Sequence, residues 1–246
     1  MHKRIAVLDM PEQQLAALRN HDEVVLCPLD AKGTPPSGTV GLVADPAKAL
    51  DAALAVGAEQ EQLLKLIADA VAVREGIPLG DAERVRDHAA RFAQALGLDA
   101  DAQLTLERAA LLRDVGKLRI PNEILLNKSV LDYDQWRLLK SHSKLGAELL
   151  LDRNVCTDVT EVVRYHHECY DGDGYPEHLE GEDIPYAARI MKILDVYCAM
   201  TSPRLYRSTT SSREEALEHL AEERGKHFDP HLIDVFLDAR IGKPRS

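Results

Sequence analysis

The apolar residues of this chain change rhythm near Gly57. Before it they come in short runs of strand length. Arg4-Ile5-Ala6-Val7-Leu8-Asp9 reads as a buried strand, and Pro11 suits the first turn of a helix carrying Leu15 and Leu18. Glu23–Cys27 is a second short strand, Asp30–Gly38 a loop, and Thr39–Ala44 a third strand. Asp45-Pro46 then opens an Ala-rich helix that Gly57 stops. From Glu59 to Glu75, residues Leu63, Leu64, Leu66, Ile67, Ala70 and Val71 give a helix with a broad apolar face, ended by Gly76 and Pro78. Beyond Pro78 the pattern is helical, with breaks at Gly97, around Pro121, over 152–157 and through the polar stretch 171–185. The expected fold is mainly α. A small α/β domain over 1–57 and a linker helix over 58–76 precede a helical bundle over 77–246. The linker helix either packs into the bundle core or offers a contact for a homodimer.

Composition narrows the class of partner. Across 246 residues, 41 acidic side chains outnumber 30 basic ones, a formal net charge of −11. That balance argues against nonspecific binding to nucleic acid or to an anionic membrane. The four cysteines include no C-x-x-C pair, which excludes a disulfide scaffold and a thiolate zinc site. No apolar run approaches the length of a membrane span, and no signal peptide is recognised at Met1-His2-Lys3-Arg4. A cytoplasmic protein is expected.

Polar residues that can ligate metal interrupt several of the apolar helices. Arg113-Asp114 follows Ala109-Ala110-Leu111-Leu112, Asp195 follows Ile190–Leu194, and His142 and the pair His166-His167 lie in similar settings. A buried carboxylate is costly unless it meets a cation or a set of donors. Each residue alone is explained by an ion pair or a cap. Together, imidazole and carboxylate are the ligands of a hydrolytic metal site.

The motifs after His166 carry a resemblance. His166-His167-Glu168, Asp171-Gly172-Asp173-Gly174-Tyr175-Pro176 and Leu179-x-Gly181-x-x-Ile184-Pro185 resemble the HD-GYP signature. The match continues through Ala188-Arg189-Ile190, Asp195-Val196, Arg204-x-Tyr206-Arg207 and Phe228-Asp229-Pro230. Upstream, Leu111–Lys117 with Ile120-Pro121 is similar to the family's "LLHDIGK…P" helix end. The resemblance covers roughly residues 77–237 and implies an HD-type helical bundle from a bacterial family of metal-dependent phosphodiesterases that hydrolyse cyclic di-GMP. The 1–57 unit is similar only to a truncated receiver domain, and it lacks that module's acidic cluster.

What the resemblance implies for the site is uneven. The family pattern calls for two divalent ions, iron, manganese or similar, bridged by the carboxylate that is here Asp114. The second-ion ligands correspond to His142, His166 and His167, and the late carboxylate to Asp195. Two first-ion histidines are replaced, by Asp81 and Arg113, and Ile77 stands where some members place an acidic ligand. A guanidinium offers no lone pair and stays charged, so Arg113 cannot ligate. Either it fills the first-ion place and pairs with Asp81 and Asp195, or it turns to solvent while Asp81 caps a helix. The site then holds one ion or none.

Asp114 and Lys117 are the implied catalytic residues. Lys117, Arg204 and Arg207 are the implied contacts for substrate phosphate. The loop Gly174-Tyr175-Pro176 is linked in the family to diguanylate cyclase domains. Two readings follow: a cyclic di-GMP signalling protein with impaired or absent hydrolysis, or an active phosphodiesterase with an altered site.

Overall fold

The structure is a computed structural model that describes residues 3–5, 24–26, 60–75, 77, 80–127, 129–152, 155–202 and 210–241. Two three-residue strands, β1 (Lys3–Ile5) and β2 (Val24–Leu26), pair in parallel with Lys3 opposite Val24 and Ile5 opposite Leu26. The third expected strand over 39–44 and the two helices expected before Gly57 lie outside the described residues. The receiver-like α/β domain expected over 1–57 is therefore not supported beyond this one strand pair.

From residue 60 onward the described chain is helical, as its apolar spacing requires. The helices are α1 (Gln60–Arg74), α2 (Asp81–Ala95), α3 (Ala100–Leu112), a short α4 (Asn122–Leu125), α5 (Tyr133–Lys140), α6 (His142–Leu151), α7 (Thr157–Tyr165), α8 (Tyr186–Thr201), α9 (Arg213–Glu222) and α10 (Pro230–Asp238). Two 3₁₀ turns, Val115–Arg119 and Gly181–Asp183, connect them.

The boundaries follow local chemistry. Gly97, at φ 67°, ends α2 with backbone bonds from Gly97 N to Gln94 O and from Leu98 N to Ala93 O. Asp99 then caps α3 by accepting from Ala102 N at 2.9 Å. Asp132 and Gln135 form a reciprocal capping box on α5, and Ser212 and Glu215 form one on α9.

The core is one continuous cluster. Val85, Ala89 and Phe92 of α2 meet Leu106, Ala109 and Leu112 of α3 and Ile190, Ile193, Leu194 and Tyr197 of α8. Leu64, Ile67 and Ala68 of α1 belong to the same cluster, so this helix packs into the core of the bundle.

Close backbone approach, rather than side-chain bulk, sets the geometry around the polar residues. A Cβ on Gly116 would stand 1.8 Å from His142 O and 2.5 Å from Gly146 N. The 3₁₀ turn after Asp114 thus lies directly on the start of α6, bringing Asp114 to His142. Gly174 is equally confined, since a Cβ there would stand 2.2 Å from Cys169 N. Backbone cannot yield as a side-chain tip can, so Gly116→Ala should destabilise the chain by about 3 kcal/mol. Chemical denaturation would show this, while Gly97→Ala, which meets no atom within 4 Å but holds a positive φ, should cost only about 1 kcal/mol.

Candidate metal centre and its internal cations

The sequence-predicted polar residues converge from five elements. Asp81 opens α2, Arg113 and Asp114 follow α3, His142 opens α6, His166 and His167 follow α7, and Asp195 lies within α8. They form two halves that meet at Asp114.

The first half is histidine. His142 Nδ1 lies 2.8 Å from Leu139 O, and His166 Nδ1 lies 2.8 Å from Val163 O. A carbonyl only accepts, so each Nδ1 carries the proton and each Nε2 keeps its lone pair. Backbone carbonyls thereby select the ligating tautomer. His166 Nε2 is buried without a hydrogen-bond partner, and His167 Nε2 stands 3.2 Å from His142 Nε2.

Ligand nitrogens of the three rings lie within 4.8 Å of one another. Tetrahedral ligands about 2.1 Å from a common ion are spaced about 3.4 Å apart, so these three nitrogens fit one divalent ion. Asp114 Oδ1, 3.6 Å from His142 Nε2, stands at the edge of the group.

Burial, reinforced by Lys117, pushes the His142 pKa down from 6.5 to about 3. Burial likewise lowers His166 and, with the neighbouring rings, holds His167 well below its ordinary value. All three rings are neutral near pH 7, the state a metal requires.

The second half holds cations of its own. Arg113 is buried, and its Nε donates to Asp195 Oδ1 at 2.9 Å while Nη1 donates to Ala110 O at 2.6 Å. The same guanidinium lies 3.5 Å from Asp114 Oδ2 and 3.9 Å from Asp81 Oδ2. Burial opposes its charge, but Asp114, Asp195 and Asp81 more than offset this and raise its pKa.

Asp81 does not act as a cap. It is the first residue of α2 after Gly80, it bonds Ser202, and it pairs with Arg84 at 3.2 Å. Ile77 is buried and brings no acid. This half does not fit a metal ion, because a fixed cation already joins its carboxylates.

Lys117 is also drawn inward. Its Nζ lies 2.8 Å from Asp114 Oδ1 and 2.8 Å from Glu75 Oε1. Burial opposes the Asp114 charge, yet Lys117 and Arg113 hold its carboxyl well below the usual range. Four carboxylates, Glu75, Asp81, Asp114 and Asp195, thus share three fixed cations, Arg84, Arg113 and Lys117.

Sequence reasoning missed Glu75, which meets Lys117 across 42 residues of chain and has no local signature. It also missed Glu168, whose carboxylate accepts from Glu177 N at 2.7 Å and Leu179 N at 3.2 Å and so ties down the Gly174-Tyr175-Pro176 loop. There Tyr175 stacks on His167, with centroids 4.7 Å apart at 22°. Arg204 and Arg207 lie outside the described residues.

A pH dependence follows from His142. Its folded pKa lies below the unfolded value of 6.5, so the unfolded chain takes up a proton that the folded chain refuses. The contribution to stability is full above pH 6.5 and is lost as pH falls toward about 3. The denaturation midpoint of chelator-treated protein should fall across that window, and His142→Asn should flatten the slope.

Comparisons with known proteins identify the family. The family profile described as HD domain matches residues 65–232. The chain is 37% identical over 183 residues to the cyclic di-GMP phosphodiesterase response regulator RpfG of Xanthomonas campestris, an alignment covering 74% of this chain and 48% of that protein. It is 33% identical over 180 residues to the 3'3'-cGAMP-specific phosphodiesterase 2 of Vibrio cholerae, covering 72% of this chain and 34% of that protein. The chain therefore spans half the length or less of these curated relatives.

Among solved structures, the cyclic GMP-AMP-specific phosphodiesterase V-cGAP3 of Vibrio cholerae superposes with a TM-score of 0.56 at 19% identity, covering 73% of this chain and 49% of that one. Bd1817, an HDG"Y"P protein of Bdellovibrio bacteriovorus, superposes at 0.54 with 18% identity, covering 80% and 62%. These two likenesses show the fold. With its profile match spanning more than half of the residues, the chain belongs to the HD domain family and is homologous to the HD-GYP cyclic di-GMP phosphodiesterases.

Proposed function

We propose that this chain is a cyclic di-GMP signalling protein that holds a single divalent ion and hydrolyses its ligand weakly or not at all. The observation that carries the reading is the Arg113 guanidinium 2.9 Å from Asp195, at the position where the family resemblance implies a first-ion histidine. His142, His166, His167 and Asp114 would hold the remaining ion. A bound divalent ion would supply Lewis acidity toward phosphate and an acidified water.

The chain's own residues explain why turnover would be low. Arg113 fixes Asp195 and restrains Asp114 through charge, but it has no coordination position for a water. Lys117 neutralises Asp114 from the other side and is held by Glu75. Both cations withdraw carboxylate lone pairs that a second ion would need. The alternative, an active phosphodiesterase with an altered site, is favoured by the intact histidine group alone.

Hydrolysis of cyclic di-GMP to linear pGpG, with manganese or iron supplied, separates the two. The proposal expects a rate on the order of 1,000-fold below that of RpfG, the relative named as a cyclic di-GMP phosphodiesterase, since ligands of a metal site act as a unit. A comparable rate, lost in His166→Ala, would establish the alternative.

Metal analysis gives an independent check. One ion per chain is expected, removed by His166→Ala, and the double change Asp81→His with Arg113→His should raise the content to two. Two ions in the unaltered chain, with Asp195 among the ligands, would overturn the reading.

A further inference from the structure

Beside the histidines lies a cleft of about 390 Å³ that none of the chemistry above uses. One wall is α5. Tyr133, Trp136, Arg137 and Lys140 recur on it at spacings of three and four, so they share one face. An amphipathic helix of a bundle normally turns its aromatic stripe inward. Here no residue of α5 is buried, and Tyr133 and Trp136 are 81% and 49% exposed. Lys144 of α6 and the Tyr175-Pro176 loop form the other side.

Charge and shape narrow the occupant. The chain as a whole carries a net charge of −11, yet the described lining of this cleft holds Arg137, Lys140 and Lys144 and no acid. Arg137 is shared with Asp134 at 3.2 Å, and Lys140 Nζ sits 5.3 Å from the Tyr175 ring centroid. Flat aromatic faces beside flexible cations match a ligand with a planar ring and a phosphate. The volume is at the lower end of small-ligand sites, which run from about 300 to 1,000 Å³. Tyr175 belongs both to this cleft and, by stacking on His167, to the metal centre.

We infer that the cleft is a nucleotide subsite, in which a purine base stacks on Trp136 or Tyr133 and its phosphate meets Lys140 and Lys144. The inference rests on the cyclic dinucleotide reading: a ligand with two base–phosphate units needs a second station next to the one at the histidines. The same chemistry is offered by a linear dinucleotide product and by a free mononucleotide.

Trp136 is the chain's only tryptophan, so its fluorescence reports on the cleft alone. The metal-loaded 246-residue chain would be titrated with cyclic di-GMP, pGpG and GMP, following Trp136 emission and heat together. Saturable quenching is expected. By calorimetry, affinity should fall about 10-fold in Trp136→Ala and be largely retained in Trp136→Tyr, as base stacking predicts. Lys144→Glu should weaken binding and reduce its salt dependence. Because α5 buries no residue, helical content and metal content serve as folding controls.

Calorimetric binding of cyclic di-GMP that leaves Trp136 emission unchanged and is unaffected by these variants would overturn the cleft while sparing the proposed function. Quenching by GMP and pGpG, with no binding of cyclic di-GMP, would keep the cleft and remove the cyclic dinucleotide. No binding of any of the three would overturn both.

Discussion

The buried guanidinium of Arg113 is the group on which the polar centre depends. It joins the end of α3 to Asp195 in α8 at 2.9 Å and lies 3.9 Å from Asp81 at the start of α2. Removing a charge from water costs several kcal/mol, and only close partners and filled hydrogen bonds offset it. Arg113 has both, including a bond of 2.6 Å to Ala110 O. Loss of one partner from such a network costs about 3–5 kcal/mol, because the remaining charge stays buried and unpaired. An organic cation can neutralise carboxylates as a metal does. It cannot bind hydroxide or polarise phosphate by coordination.

The histidine half obeys a different constraint. Its ring orientations are set by backbone carbonyls of Leu139 and Val163, one turn before each ring. Its distance from Asp114 is set by the contact of Gly116 with the start of α6. Both are backbone contacts, whereas the charge network reaches the histidines through Asp114 and Lys117. Asp114 is the shared member, and Lys117, backed by Glu75, balances it from within.

Much of the candidate site could be read from the order of residue types. Acids and imidazoles inside apolar helical patterns marked Asp114, His142, His166, His167 and Asp195, because burying such groups demands partners. The lack of a lone pair on Arg113 was also legible, since it is a property of the residue itself. Glu75 and Glu168 were not legible. Glu75 acts across 42 residues and Glu168 bonds backbone N–H groups of a later loop, neither of which leaves a local pattern. The pairing of Lys117 with both Glu75 and Asp114 likewise depends on the fold.

The sequence alone determined the helical character from residue 60, because apolar spacing and capping residues act over a few positions. It also determined the family, through a long ordered run of motifs. Two questions were left open by local pattern: whether the helix over Glu59–Glu75 joins the core, and which way Arg113 points. Tertiary structure decided both. Leu64 and Ile67 have a buried apolar face to meet, and the Arg113 guanidinium has three carboxylates within 4 Å. The physical reason is the same in each case. The energy of burying a side chain depends on what stands opposite it, and only the folded chain supplies that.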